Sequence, residues 1–130
     1  MSDALIKILI VDDESTIRLM VRTYLNPYNV EVIETKDGYK ALEIMKEQEI
    51  DIAIIDYSMP LLSGQEIINA MSEDEKMSSI SVIVYTSGGF KKEIEDSLKQ
   101  SSMAYVEKIN LGHDLIPAIQ DIMGERFKKL

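Results

Sequence analysis

Apolar residues fall along this chain in two rhythms. One is the short unbroken run. Ile6-Lys7-Ile8-Leu9-Ile10-Val11, Asp51-Ile52-Ala53-Ile54-Ile55-Asp56 and Ile80-Ser81-Val82-Ile83-Val84-Tyr85 are rich in β-branched residues and almost free of polar interruption. Such runs predict strands buried on both faces, as in a parallel sheet covered by helices. Val30–Glu34 alternates instead and predicts a strand nearer an edge, and Met103-Ala104-Tyr105-Val106 predicts a short fifth strand.

The second rhythm is helical. Ile17, Met20, Val21 and Tyr24 recur at i, i+3, i+4 and i+7 over residues 15–25, after a start region at Glu14 or Ser15, and Asn26-Pro27 stops that helix. Asp37 is the expected N-cap of a helix whose apolar face is Ala41, Leu42 and Met45, flanked by Tyr39 and Ile44. Ser63-x-x-Glu66 is a capping-box pattern opening a helix with Ile67, Ile68 and Met71 inward. Residues 72–79 are expected as a polar connector. A permissive loop at Gly88-Gly89 precedes an expected helix over 90–100 with Ile94 and Leu98 inward. The last helix is expected from about Gly112 to Phe127, with Pro117 in its first turn. Strands separated by helices require parallel pairing and right-handed crossovers. The expectation is a three-layer α/β/α sandwich in a single domain, residues 1–130.

Composition narrows the function. A net charge of −9 argues against non-specific binding to nucleic acid or an anionic membrane. No apolar run reaches the ~18 residues that span a bilayer. The absence of cysteine excludes thiolate metal sites and suits a reducing, cytoplasmic setting, and one histidine is too few for a multi-histidine metal site.

The chemistry lies at the strand ends. Asp12 and Asp13 follow the first strand, Asp56 the third, Thr86 and Ser87 the fourth, and Lys108 the fifth. In a parallel sheet these ends share the edge where ligands bind. Each alone has a plain reading: an acidic pair caps a helix, a lone aspartate makes a turn, a lysine is solvated. Their coincidence at the correct ends of several strands is what points to a site. Carboxylates ~4 Å apart repel by about 4 kcal/mol per pair at an effective dielectric near 20. A hard divalent cation with oxygen ligands offsets this, and Mg²⁺ suits a site that also receives a phosphoryl group.

These residues carry a resemblance. Asp12-Asp13, Asp56 with Met59-Pro60 and Gly64, Thr86, and Tyr105 three before Lys108 together resemble the receiver domain of bacterial two-component response regulators. The resemblance runs from Ile6 into the last helix. It implies a flavodoxin-like, five-stranded sheet of order 2-1-3-4-5. It implies that Asp56 accepts a phosphoryl group from a phosphohistidine of a sensor kinase or phosphotransfer protein. Asp13, Asp56 and the carbonyl of Ser58 would hold Mg²⁺, with Asp12 acting through water. Lys108 would pair with phosphoryl oxygens, Thr86 would donate to the phosphoryl group, and Tyr105 would turn inward as Thr86 moves. Output would go to an unidentified protein through the 90–127 face, with the chain a monomer or weak dimer there and not an enzyme in the ordinary sense.

Two departures matter. Lys108 is followed by Ile109 rather than proline, which leaves open whether that peptide is cis or trans. Ala104 replaces the usual glycine before the aromatic. Ser58 and Gly88, two residues beyond Asp56 and Thr86, are small and imply a short-lived acyl phosphate. Three other readings compete. A haloacid-dehalogenase-type phosphatase needs Asp-x-Asp after its first strand, whereas here the acids are adjacent. A flavodoxin-like cofactor binder needs a phosphate loop where Asp12-Asp13-Glu14 stands. A degenerate receiver would act as a phosphorylation-independent interaction module.

Overall fold

The computed structural model describes residues 5–87, 92 and 103–130. Five parallel strands form one sheet: β1 (Ile6–Val11), β2 (Val30–Thr35), β3 (Ile52–Asp56), β4 (Ser81–Thr86) and β5 (Met103–Glu107), in the order β2-β1-β3-β4-β5. The described helices are α1 (Ser15–Leu25), α2 (Gly38–Glu47), α3 (Gly64–Ser72) and α4 (Leu111–Met123). The expected helix over 90–100 and the Gly88-Gly89 loop lie outside the described residues.

Strand alternation sorts the apolar side chains onto two cores. Leu9, Val11, Ala53, Ile55, Val82 and Val84 face α2 and α3, where they meet Ala41, Ile44, Met45, Ile67, Ile68 and Met71. Ile8, Ile10, Ile52, Ile54, Ile83 and Tyr85 face α1 and α4, where they meet Val21, Leu25, Leu111, Leu115 and Ile119. The unbroken β-branched runs thus serve both sides at once, whereas the edge strands are mostly half-exposed: β2 throughout, and β5 at Ala104, Tyr105 and Glu107.

Capping follows local chemistry. The Asp37 carboxylate accepts from the Tyr39 N–H at 2.8 Å, and Ser63 and Glu66 form the full capping box. Several helical expectations need correction. On α1 Val21 and Leu25 are buried and Ile17 and Tyr24 pack half-buried beside them, while Met20 is 40% exposed. On α2, Ile44 is buried and Tyr39 is exposed, because the face rotates toward Gly38 and Ala41. The 72–79 connector holds a 3-10 turn, Met77–Ser79, and buries Met77. Pro117 sits in the second turn of α4, not the first, because the helix starts at Leu111 directly from a 3-10 turn, Lys108–Asn110. The His113 carbonyl therefore lacks its helical donor, and buried Leu111, Leu115 and Ile119 anchor the helix across that gap. The helix ends at Met123 rather than Phe127, where Gly124 adopts φ +59°.

The pole opposite the strand ends is closed by the chain's last residues. Buried Asn29 donates through its amide to the Arg126 carbonyl at 2.7 Å and accepts from the Lys128 N–H at 2.8 Å. Tyr28 stacks on Phe127 with ring centroids 4.5 Å apart. Phe127 is 2% exposed, so truncating it leaves a cavity. Phe127→Ala is expected to lower stability by about 3–5 kcal/mol in urea unfolding, with the strand-end site unaffected.

Candidate functional site

The same alternation decides which side chains meet at the C-terminal edge. Ile10 and Val11 pair with Ile54 and Ile55, so Asp12 and Asp56 come next as neighbours facing the α1–α4 side. Asp56 pairs with Tyr85, and Tyr85 pairs with Val106 on that same face. Lys108, two residues beyond Val106, returns to it. Two acids, a phenol and an ammonium thus converge through strand register alone.

The result is a tight polar knot. Asp12 is fully buried and Asp56 is 2% exposed, while Asp13 lies at the surface. One oxygen from each of Asp12, Asp13 and Asp56 lies within 4.8 Å of the others. The Lys108 Nζ is 3.1 Å from Asp56 Oδ2, 3.2 Å from Asp12 Oδ2 and 3.2 Å from Glu14 Oε1. The Ser58 N–H donates to Asp56 Oδ1 at 3.1 Å, and the Glu14 N–H to Asp12 Oδ1 at 2.8 Å. The Tyr85 hydroxyl donates to Asp12 Oδ2 at 2.5 Å, and the Lys108 ammonium stands 5.1 Å from the centre of the Tyr85 ring. Arg18 donates to the Asp12 carbonyl at 2.7 Å while pairing with Glu34, which also pairs with Arg22.

Burial makes this cluster electrostatically unusual. Desolvation first, and the charge of Asp12 second, push the Asp56 carboxyl up to about 6, although Lys108 and the Ser58 N–H pull the other way. Lys108 loses solvation as well, but Asp56 and Asp12 outweigh that loss and hold it above the ordinary lysine value. Burial and then Asp12 hold the Tyr85 hydroxyl far above the tyrosine range, so it remains a donor. Among the described residues the Lys108 ammonium reaches three carboxylates, Asp12, Glu14 and Asp56, and Asp13 adds a fourth acid beside Asp12 and Asp56. The donor set is all oxygen and its charge is under-compensated, which fits a hard divalent cation such as Mg²⁺.

A close backbone approach shapes the loop after Asp56. A Cβ at Gly64 would lie 2.6 Å from the Tyr57 Cα and 2.7 Å from the Asp56 carbonyl oxygen, and the Gly64 N–H donates to the Tyr57 carbonyl at 2.9 Å. Only glycine lets α3 start so near β3. Within the loop, the Leu62 N–H donates to the Pro60 carbonyl at 2.8 Å across Leu61 at φ +69°, a strained γ-turn geometry.

The expected site residues divide accordingly. Asp12, Asp13, Asp56 and Lys108 come together. Ser58 supplies its backbone N–H, and its side chain is exposed. Thr86 ends β4, buried. Tyr105 is half-buried against the α2–α3 core, on the face opposite the acids. Gly88 lies outside the described residues. The peptide between Lys108 and Ile109 is trans, and the 3-10 turn over Lys108–Asn110 still delivers the ammonium. Tyr85 and Glu14 are participants that reading the motif residues passed over. Strand parity was the available signal for Tyr85, which shares a face with Asp12 and Asp56. Among the described residues no helix is long and apolar enough to cross a membrane.

Residues 8–120 match the family described as "Response regulator receiver domain". The chemotaxis protein CheY homolog of Campylobacter jejuni is 28% identical over 120 residues, covering 91% of this chain and 92% of that one. The polar-differentiation response regulator DivK of Brucella ovis is 26% identical, covering 91% and 96%. Among solved structures, a response regulator receiver domain protein from Clostridium thermocellum superposes with a TM-score of 0.82 at 30% identity, covering 94% of this chain and 97% of that one.

The raised Asp56 value carries a signed consequence. Its folded value, about 6, exceeds the 3.8 of a free side chain, so the folded state binds this proton more tightly. Its buried charge is absent well below pH ~4 and fully expressed above ~6, so this group's contribution to metal-free stability falls as pH rises through ~6. In divalent-free buffer Asp56→Asn is expected to melt above the parent at about pH 7.5, with the gap narrowing by about pH 5. A gap independent of pH would contradict the placement of Asp56. Gly64→Ala is expected to cost about 1–3 kcal/mol and to weaken Mg²⁺ binding, read by chemical denaturation and calorimetry.

Proposed function

This chain belongs to the response regulator receiver family, and we propose that within it Asp56 accepts a phosphoryl group from a phosphohistidine of a sensor kinase or phosphotransfer protein. A receiver domain of two-component signalling is a phosphorylation-dependent switch. The observation that carries the reading is the pairing of a nearly buried Asp56 with the Lys108 ammonium at 3.1 Å, beside Asp12.

In the proposed transfer an Asp56 carboxylate oxygen forms a bond to phosphorus. The P–N bond to the imidazole breaks, and the leaving ring takes up a proton. The transition state needs positioning and charge neutralisation more than covalent assistance. Lys108 offsets charge on the phosphoryl oxygens. The Ser58 N–H holds one Asp56 oxygen and so orients the carboxylate. Asp13, Asp56 and the Ser58 carbonyl would hold Mg²⁺, with Asp12 acting through a water. Bound there, the ion supplies Lewis-acid neutralisation of the phosphoryl charge.

The product adds a charge of about −1.5 to −2 and new acceptor oxygens. Thr86 would donate its hydroxyl to them, and Tyr105 would follow inward. Output would then pass through the 90–127 stretch to a protein partner in the cytoplasm, or to a second copy in a weak dimer. The small residues Ser58 and Gly88 leave the acyl phosphate open to water, so self-dephosphorylation should be fairly quick, and a half-life of many hours would count against this.

The test is incubation with Mg²⁺ and acetyl phosphate followed by intact mass. One added phosphoryl group is expected, lost in Asp56→Asn and without divalent cation. No labelling of the unsubstituted protein would overturn the reading.

A further inference from the structure

Among the described residues Tyr85 is the largest fully buried side chain, yet it ends in a polar group. That hydroxyl emerges from the apolar α1–α4 core at one point, against Asp12 Oδ2. The same oxygen is approached by the Lys108 Nζ at 3.2 Å, and the ring of Tyr85 lies beneath that ammonium. Asp12 is thus held at both oxygens: Oδ1 by the Glu14 N–H and Oδ2 by the phenol. Two donors on different oxygens fix the carboxylate plane, which one donor would leave free to rotate.

The arrangement also divides Lys108. Its ammonium is contested by Asp12 and Asp56 at nearly equal distances. A phenolic donor on Asp12 Oδ2 satisfies part of that oxygen's demand and leaves more of the ammonium for Asp56. Remove the hydroxyl, and a fully buried carboxylate oxygen has the lysine as its remaining donor. The ammonium is then drawn toward β1.

We infer that Tyr85 is a positioning residue of the acidic site: its hydroxyl pins the Asp12 carboxylate for the divalent cation and keeps Lys108 on Asp56. This rests on the phosphoacceptor reading above. It assigns Tyr85 a role beyond filling the core, one that a purely structural tyrosine would not have.

The test uses Tyr85→Phe, which removes one oxygen and keeps the ring under Lys108. Mg²⁺ binding is followed by calorimetry and by the near-ultraviolet difference spectrum. The chain has six tyrosines and no tryptophan, so that spectrum reports tyrosine directly. In the unsubstituted protein Mg²⁺ is expected to shift tyrosine absorption, because a cation beside Asp12 weakens the acceptor to which the Tyr85 hydroxyl donates. In Tyr85→Phe the shift is expected to disappear and the Mg²⁺ dissociation constant to rise about tenfold, the size of effect a hydrogen bond to a charged group supports. The rate of labelling by acetyl phosphate at saturating Mg²⁺ should also fall. A variant that binds Mg²⁺ within about twofold of the parent, or keeps the spectral shift, overturns the inference. If the variant does not fold, the unsubstituted protein still decides, since no tyrosine shift on Mg²⁺ binding also overturns it. Should the unsubstituted protein neither bind Mg²⁺ nor become labelled, the phosphoacceptor reading itself has failed. If it does both and Tyr85→Phe matches it, only the role of Tyr85 has.

Discussion

Two carboxylates side by side in a protein interior define this molecule. Asp12 and Asp56 end adjacent parallel strands, and almost no solvent reaches either. At a few ångströms their repulsion is about 4 kcal/mol even at an effective dielectric near 20. The surroundings answer that repulsion group by group. Lys108 reaches both acids, the Ser58 and Glu14 amides each hold one oxygen, and the Tyr85 phenol holds another. The balance remains incomplete: burial first, and the charge of Asp12 second, hold the Asp56 carboxyl above the usual carboxylate range. Such an all-oxygen, under-compensated set fits a hard divalent cation.

The fold is the means by which such a pair is kept in place. Ile54 and Ile55 on β3 bury against opposite layers, so Asp56 is carried on a strand gripped from both sides. Gly64 lets the return of the chain lie against the Asp56 carbonyl. At the far pole, Asn29 and the Tyr28–Phe127 stack tie the end of the chain to the start of the sheet. The aromatic stack thus closes one pole, and the buried carboxylates with Lys108 lie at the other.

Much of this was legible in the residues. Isoleucine-rich runs identified β1, β3 and β4, alternation placed β2 near an edge, and strand-end acids with Lys108 marked the site. The misses have local causes. Helical periodicity places a stripe only to within one residue, so on α1 Leu25 is buried where Met20 was expected, and on α2 Ile44, expected on the flank, is buried while Leu42 is half-buried. Pro117 was placed by the preference of proline for a first turn, but tertiary burial of Leu115 and Ile119 overrode it. Tyr85 read as a strand aromatic because its partner, Asp12, is 73 residues away in sequence. Ile109 left two routes open for the backbone, and which one delivers the lysine depends on the turn the chain makes after β5.

Tyr85 and Thr86 are consecutive residues on β4, and a strand sends consecutive side chains to opposite faces. Tyr85 belongs to the compartment that holds the acids, and the alternation assigns Thr86 to the compartment of Tyr105. The sheet is therefore a partition between two rooms, and the shortest passage through it is a single peptide plane. Amide groups are stiff about their central bond. Any rotation of that plane would carry the attachments of both side chains with it.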